Sequence, residues 1–439
     1  MKPVPLLIAA LMALSPTSAL AARCAGPVCN MDRLSPWFAK LATARKGHGA
    51  PVHILQIGDS HTAGDAVTGA WRDLLQARYG AGGRGVLAPG RPYDGYITRG
   101  VTATMSTGWT IGATFGKNAS PPRPMLGVSG FSMISNRPGA SMALHADNSA
   151  TMFDRFVLCA IGGPNAGSVT VSFDGAEPSR LDFTVPEARP ICRSVSTETP
   201  HTAVDIAAEF PGLTLTSWAT FRSDNGGVVL SNVGVVGSQL IHFARTDDAV
   251  IAEEMAAYTP DLIVLAFGTN EGFSPKFDAY SYEATLRSQI ARLQRLSGGV
   301  PILLLGAPDS LTRNAALRGN APGLPLECEA APAFLASPSV PSDAMVQPLP
   351  TTTTAPKGPL FAPPALADVR RIQRLVAGEM GVAYWDWQAR MGGPCTARDW
   401  VQRPVPLMRG DYVHFKTGGG QEIARRLQAD LDAAMASER

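Results

Sequence analysis

The sequence predicts an α/β protein in three layers: a parallel sheet covered by helices on both faces, interrupted by an inserted antiparallel β-sandwich. Three observations carry this reading. Short apolar runs alternate with stretches of helical periodicity in two separate parts of the chain. Between those parts, from 98 to 226, helical periodicity nearly vanishes and short turn-punctuated strands follow one another. The first three apolar runs end in small or polar strings, Gly58-Asp59-Ser60, Asn232 to Gly237 and Gly268-Thr269-Asn270, where a strand would hand over to a turn.

The elements follow in order. Residues 1–22 read as a secretory leader: Lys2 supplies a basic start, Val4 to Leu14 an apolar core, and Ala19-Leu20-Ala21 a small-residue end. That run is too short to span a bilayer, so stable membrane insertion is not expected. Val52 to Ile57 is the first buried strand. It passes through Gly58-Asp59-Ser60 into a helix from Ala66 to Tyr79, with Val67, Ala70, Trp71, Leu74 and Leu75 at helical spacing. This first segment of the parallel-sheet domain is taken as 23–97.

The inserted region, 98–226, is expected to hold strands at Val101–Met105, Trp109–Ala113, Ser141–His145, Asp154–Ile161, Val169–Phe173, Leu181–Val185, Val204–Ala208 and Leu213–Phe221. The second segment of the parallel-sheet domain, 227–439, resumes the alternation. It has strands at Val228–Leu230, Leu262–Phe267, Val300–Leu305 and Val382–Trp385. Its helices are expected from Ser238, over Asp247–Tyr258, Tyr282–Leu296 and Asp368–Met380, and at the close over Gly420–Met435. The Pro- and Thr-rich stretch from Ala321 to Pro364 reads as an irregular excursion.

Charge excludes some functions. The formal balance is +2 and falls by the one charge of Lys2 to +1 without the leader. That gives no electrostatic case for a nucleic-acid partner. The six cysteines allow 15 pairings. Cys24–Cys29, Cys159–Cys192 and Cys328–Cys395 is the set that keeps each bond within one region, and disulfides suit an exported chain. The spacings do not resemble a zinc site, and neither metal nor cofactor is expected.

Four strings could assemble an ester-hydrolysing centre. A neutral hydroxyl attacks an ester poorly, so Ser60 needs a base to take its proton. His414 is the best base and Asp411, three residues before it, the acid that would orient it. His61 is too close in sequence to reach Ser60 productively. Asp386 is a rival acid, but its place between Trp385 and Trp387 looks structural. The backbone amides of Ser60 and Gly237 and the side-chain amide of Asn270 are candidates for an oxyanion hole. Taken singly, each has a plainer reading: a helix cap for Ser60, a turn glycine, a turn asparagine, a loop histidine. Trp109, Trp218 and Trp400 could stack on sugar rings, although packing is the plainer role for each.

The serine, glycine, asparagine and histidine at Ser60, Gly237, Asn270 and His414 resemble the quartet of the SGNH branch of the GDSL hydrolase superfamily. Longer strings, among them Gly58-Asp59-Ser60-His61-Thr62-Ala63-Gly64-Asp65, Gly268-Thr269-Asn270-Glu271, Tyr384-Trp385-Asp386-Trp387 and Val413-His414-Phe415, are similar to bacterial peptidoglycan O-acetylesterases. The resemblance implies a flavodoxin-like sheet and an inserted sandwich akin to carbohydrate-binding modules. It also implies an exported envelope enzyme whose partner is an acetylated glycan, peptidoglycan first. Transfer of the acetyl group to a sugar, hydrolysis of another acetylated polysaccharide, and a non-catalytic carbohydrate-binding role are the alternatives. Oligomeric state is not legible.

Overall fold

Five strands form the centre: β1 (Val52–Gly58), β2 (Val228–Gly234), β3 (Leu262–Ala266), β4 (Ile302–Leu305) and β5 (Ala383–Trp385). They lie in the order β2-β1-β3-β4-β5, all mutually parallel. This is the flavodoxin-like order, with the switch of direction beside β1. Every residue of the five is buried, as both faces are covered. The computed structural model describes residues 23–44, 48–119, 121, 124–223, 225–318, 326–328 and 358–437. The leader at 1–22 and most of the Pro- and Thr-rich stretch lie outside the described residues.

Alternation along the strands decides which helix goes where. Ile54, Leu230, Val264, Leu303 and Trp385 share one core with Trp71 and Leu75 of the helix Ala66–Tyr79 and Ile423 and Leu427 of the helix Thr417–Ser437. Leu55, Ile57, Val233, Ile263, Leu265 and Leu304 face the other way. They pack on the helices Asp248–Tyr258, Ala279–Leu296 and Pro364–Met380. Trp71 satisfies its indole N–H on Gln428 Oε1 at 2.8 Å, which joins the first and last helices.

The sheet expected to be parallel is mixed. The small hairpin Cys24–Ala25/Val28–Cys29 adds antiparallel to β5, so β5 is not an edge. Two-residue strands carry no readable period. The helix expected from Ser238 is also only one turn, Leu240–Phe243.

Between β1 and β2 the chain builds two antiparallel sheets. One runs Ser179–Asp182, Ser168–Phe173, Ala203–Ala208, Ser141–Ala146, Val101–Met105. The other runs Arg189–His201, Phe153–Gly162, Thr214–Phe221, Phe131–Ser135, Trp109–Ala113. Leu144, Phe156, Leu158, Val169, Ile206, Leu215 and Trp218 fill the space between them. Gly85–Leu87, upstream of the expected boundary, also pairs with Thr214–Phe221. Trp218 and Trp400 are fully buried in packing, so neither presents an open face to a sugar, while Trp109 is half-buried against the sandwich core.

The sandwich is bolted to the helix Asp248–Tyr258. The buried Glu254 carboxylate accepts from Val128 N at 2.7 Å, Thr216 Oγ1 at 2.8 Å and Ser217 Oγ. Asp247 Oδ2 accepts from Leu126 N at 2.8 Å, and Arg155 donates to Ala257 O at 2.8 Å.

All three cysteine pairs are bonded: Cys24–Cys29, Cys159–Cys192 and Cys328–Cys395, with sequence separations of 5, 33 and 67. Loop-closure entropy scales with the logarithm of that separation. Replacing Cys328 and Cys395 by serine is therefore expected to destabilise the protein by about 4 kcal/mol, against about 2 kcal/mol for Cys24 and Cys29. Urea denaturation of the two double variants measures the difference.

Candidate active site

Register sets the site before any side chain is considered. Gly58 at the end of β1 sits directly between Gly234 of β2 and Ala266 of β3. Three chain segments therefore leave the same edge of the sheet side by side, carrying Ser60, Gly237 and Asn270. The approach is close: a Cβ on Gly58 would lie 2.3 Å from Thr62 Oγ1 and 2.5 Å from Ala266 O, and one on Gly234 would lie 2.4 Å from Ala63 N. Only glycine allows that packing.

After β1 the chain makes one tight turn, Ser60–Ala63, capped by Asp59, whose Oδ1 accepts from His61 N at 2.9 Å. The turn is held from below by Asn232 of β2, whose Nδ2 donates to Thr62 O at 3.0 Å. Asn232 Oδ1 in turn accepts from Arg84 at 2.7 Å and Arg72 at 3.0 Å. Both guanidinium groups also meet buried Asp65. Burial alone would raise the Asp65 pKa, but the two arginines overcome it and hold the carboxyl below its usual range.

His414 Nε2 lies 3.0 Å from Ser60 Oγ, and His414 Nδ1 lies 2.8 Å from Asp411 Oδ2. With Nδ1–H donating to the carboxylate, Nε2 is left to accept the serine proton. Asp411 Oδ1 also accepts from the amides of Val413 at 2.9 Å and His414 at 3.0 Å, so one residue shapes the turn and orients the ring. Burial pushes the Asp411 pKa up, but His414 and these two amides outweigh it and hold the carboxyl down to about 2. The turn is pinned by Arg409 N donating to His414 O at 2.8 Å and Leu311 N donating to Tyr412 O at 3.1 Å. Asp386 takes no part: it caps the helix Trp387–Met391, accepting from Ala389 N at 3.0 Å, and pairs with Arg374.

Gly237 occupies the left-handed region, φ 76°, in the loop after β2. The amides of Ser60 and Gly237 donate to no group among the described residues. Asn270 differs: Nδ2 donates to Ser238 O at 2.9 Å and lies 3.5 Å from Asp59 Oδ2. The first bond fixes the amide; the second, at the outer limit of hydrogen bonding, is the one a substrate oxygen can replace.

Several residues that sequence reasoning passed over hold this edge together. Gln239 Nε2 donates to Asn270 O at 2.9 Å, and Leu240 N donates to Glu271 Oε1 at 2.7 Å. The Gly237 loop and the Asn270 turn are thus laced by three bonds. Phe115, from a loop of the sandwich, stacks on His242 at 4.4 Å and lies over the Gly237 Cα. Arg245 anchors that loop by donating to Thr114 O at 2.8 Å. Glu271 sat in plain view beside Asn270, and an acid at a buried strand end was the available signal. Among the described residues, no group of three or more His, Cys, Asp or Glu is placed to hold a metal ion, and no helix is long and apolar enough to cross a membrane.

Fold and edge together define a carboxylic ester hydrolase with the SGNH architecture. The model of the GDSL-like lipase/acylhydrolase family matches residues 204–421. That span contains Gly237, Asn270, Asp411 and His414; Ser60 lies upstream of it, before the inserted sandwich. A peptidoglycan O-acetylesterase structure superposes with a TM-score of 0.71 at 23% identity, over 94% of this chain and 100% of that one. A putative GDSL-like lipase from Parabacteroides merdae gives a TM-score of 0.29 at 15% identity, over 48% of this chain and 73% of its own. An acetyl xylan esterase gives 0.29 at 14% identity, over 46% and 81%. No curated protein matches the chain in sequence.

Glu271 makes a pH effect on stability. Burial raises its pKa from 4.5 to about 7, only partly countered by the Leu240 amide and its own turn, while Asp59 adds to the rise. The folded pKa is above the unfolded one, so folding favours the protonated acid. Its contribution is greatest below about pH 4.5 and is lost as pH rises through about 7. Between pH 5 and pH 8 the Glu271→Gln variant is expected to lose less stability than wild type; urea midpoints at the two pH values read this.

Proposed function

We propose that the protein is an exported serine esterase that removes O-acetyl groups from a bacterial cell-wall glycan, peptidoglycan above others. The observation that carries the reading is the Ser60–His414–Asp411 line, 3.0 Å and 2.8 Å, at the edge where Gly237 and Asn270 also arrive. The likeness in fold to a peptidoglycan O-acetylesterase along nearly the whole chain, sandwich included, supports the choice of glycan. The three disulfides suit an oxidising compartment.

In this reading Ser60 Oγ attacks the acetyl carbonyl as His414 Nε2 takes its proton. Negative charge collects on the carbonyl oxygen, within reach of the Ser60 and Gly237 amides and Asn270 Nδ2. Asp411 stabilises the imidazolium without taking its proton. The sugar oxygen leaves with the proton from His414. Water, deprotonated by the same imidazole, then cleaves the acetyl-serine to acetate and restores Ser60.

Ser60→Ala and His414→Ala are each expected to abolish nearly all turnover of a chromogenic acetyl ester while the fold survives; full activity in either folded variant rejects the assignment. Asp411→Asn is expected to retain some rate, and Asn270→Ala to lose roughly 10²–10³ in kcat. Acetate release from O-acetylated peptidoglycan, compared with acetylated xylan, tests the glycan. Acetylated sugar appearing in place of free acetate would mark the reaction as transfer.

A further inference from the structure

His61 follows the nucleophile directly, yet the reaction as written gives it nothing to do. Its side chain is buried. Trp387 and Phe415 meet the ring at steep angles, each 5.6 Å away, and the His414 ring is stacked on it at 5.6 Å with 29° between planes.

Both ring nitrogens face oxygen acceptors. Nδ1 is 3.2 Å from Asp59 Oδ1 and Nε2 is 3.0 Å from Val413 O. A carbonyl oxygen only accepts, as does a carboxylate, and a neutral imidazole has one N–H. A neutral ring would therefore set a nitrogen lone pair against an oxygen lone pair with little water to relieve it. An imidazolium satisfies both sides.

We propose that His61 is held as an imidazolium clamp, a positioning residue that ties the His414 turn to the Ser60 turn beneath the nucleophile. The connection runs in one line. Asn270 Nδ2 approaches Asp59 Oδ2, Asp59 Oδ1 takes the His61 ring, and His61 Nε2–H takes the carbonyl of Val413, the residue joined to His414. The same two side chains thereby brace the base from one side, while Asp59 keeps only the long contact to the Asn270 amide that a substrate oxygen can replace. This role rests on the reading of Ser60 and His414 given above.

The charges around the ring fit. Asp59 faces it from its own turn and Asp411 from the His414 turn; Glu271 acts on Asp59 from the Asn270 turn, and His414 is the one titratable ring packed on it. Burial opposes a charge on His61, but the Asp59 carboxylate, the Val413 carbonyl and Asp411 together raise its pKa above the usual histidine value. When His414 becomes cationic during catalysis, each imidazolium has its own carboxylate: Asp59 for His61 and Asp411 for His414. Loss of the His61 proton at alkaline pH removes one of the two tethers, so turnover should show an alkaline decline that belongs to His61.

The test uses the full chain labelled with ¹⁵N-histidine, His61 being assigned by its absence from the His61→Asn spectrum. Both His61 ring nitrogens are expected at protonated shifts at pH 7. A neutral-tautomer pattern there overturns the proposal, and this readout stands whatever the esterase assay gives. In kinetics, folded His61→Asn is expected to lose roughly ten- to a hundredfold in kcat on a chromogenic acetyl ester. Its KM should stay near wild type and the alkaline decline should be gone. Wild-type kcat and an unchanged pH profile would overturn it. An active Ser60→Ala protein would instead sink the site assignment and leave the ¹⁵N result untouched.

Discussion

Everything at the candidate site follows from the level at which three neighbouring strands stop. Gly58, Gly234 and Ala266 lie in register across β2, β1 and β3. Backbone touches backbone there closely enough that added Cβ atoms would collide. Side chains that sequence separates by well over a hundred positions are neighbours because their strands are. A one-residue slip in either pairing would also turn every side chain of that strand to the opposite face. The two hydrophobic cores, which divide alternate residues of the strands between the two helical layers, therefore protect the site's register as well as the fold.

The inserted sandwich is part of this arrangement. Its own core is continuous, but buried Glu254, Asp247 and Arg155 fasten it to one helical layer. The consequence appears at the edge of the sheet: the loop bearing Phe115 is carried to Gly237 and His242. The insertion thus builds part of the wall around a candidate oxyanion donor, which makes it more than a separate module on a tether.

Much of this was legible beforehand, for identifiable reasons. Buried parallel strands read as unbroken apolar runs, so β1 and β3 stand out within a residue of their ends. The helix Ala66–Tyr79 has a clean period and was placed at its observed bounds. Arg189–His201 escaped because it is an edge strand: polar, largely exposed and holding Pro190 and Pro200, which an edge tolerates and a central strand would not. Phe131–Ser135 was passed over between glycine- and proline-rich turns. At the site, residue types and order pointed to Ser60, Gly237, Asn270, Asp411 and His414, and the structure gathers them at one edge. His61, next to Ser60 in sequence, reaches Val413 from beneath the nucleophile, a contact that no local pattern reveals.

Asp411 and His414 sit on one short turn, with the aspartate accepting from the backbone of that same turn as well as from the imidazole. In the proposed esterase, acid and base are consequently a prefabricated unit, delivered to the serine from outside by the stretch of chain that leads into the last helix. A displacement of the turn would carry both away together. The pair would stay intact and the imidazole correctly poised, while the hydroxyl, stripped of its partner, would revert to an ordinary alcohol. In that proposal the hydroxyl depends on the seating of one turn, which Leu311 N holds by donating to Tyr412 O.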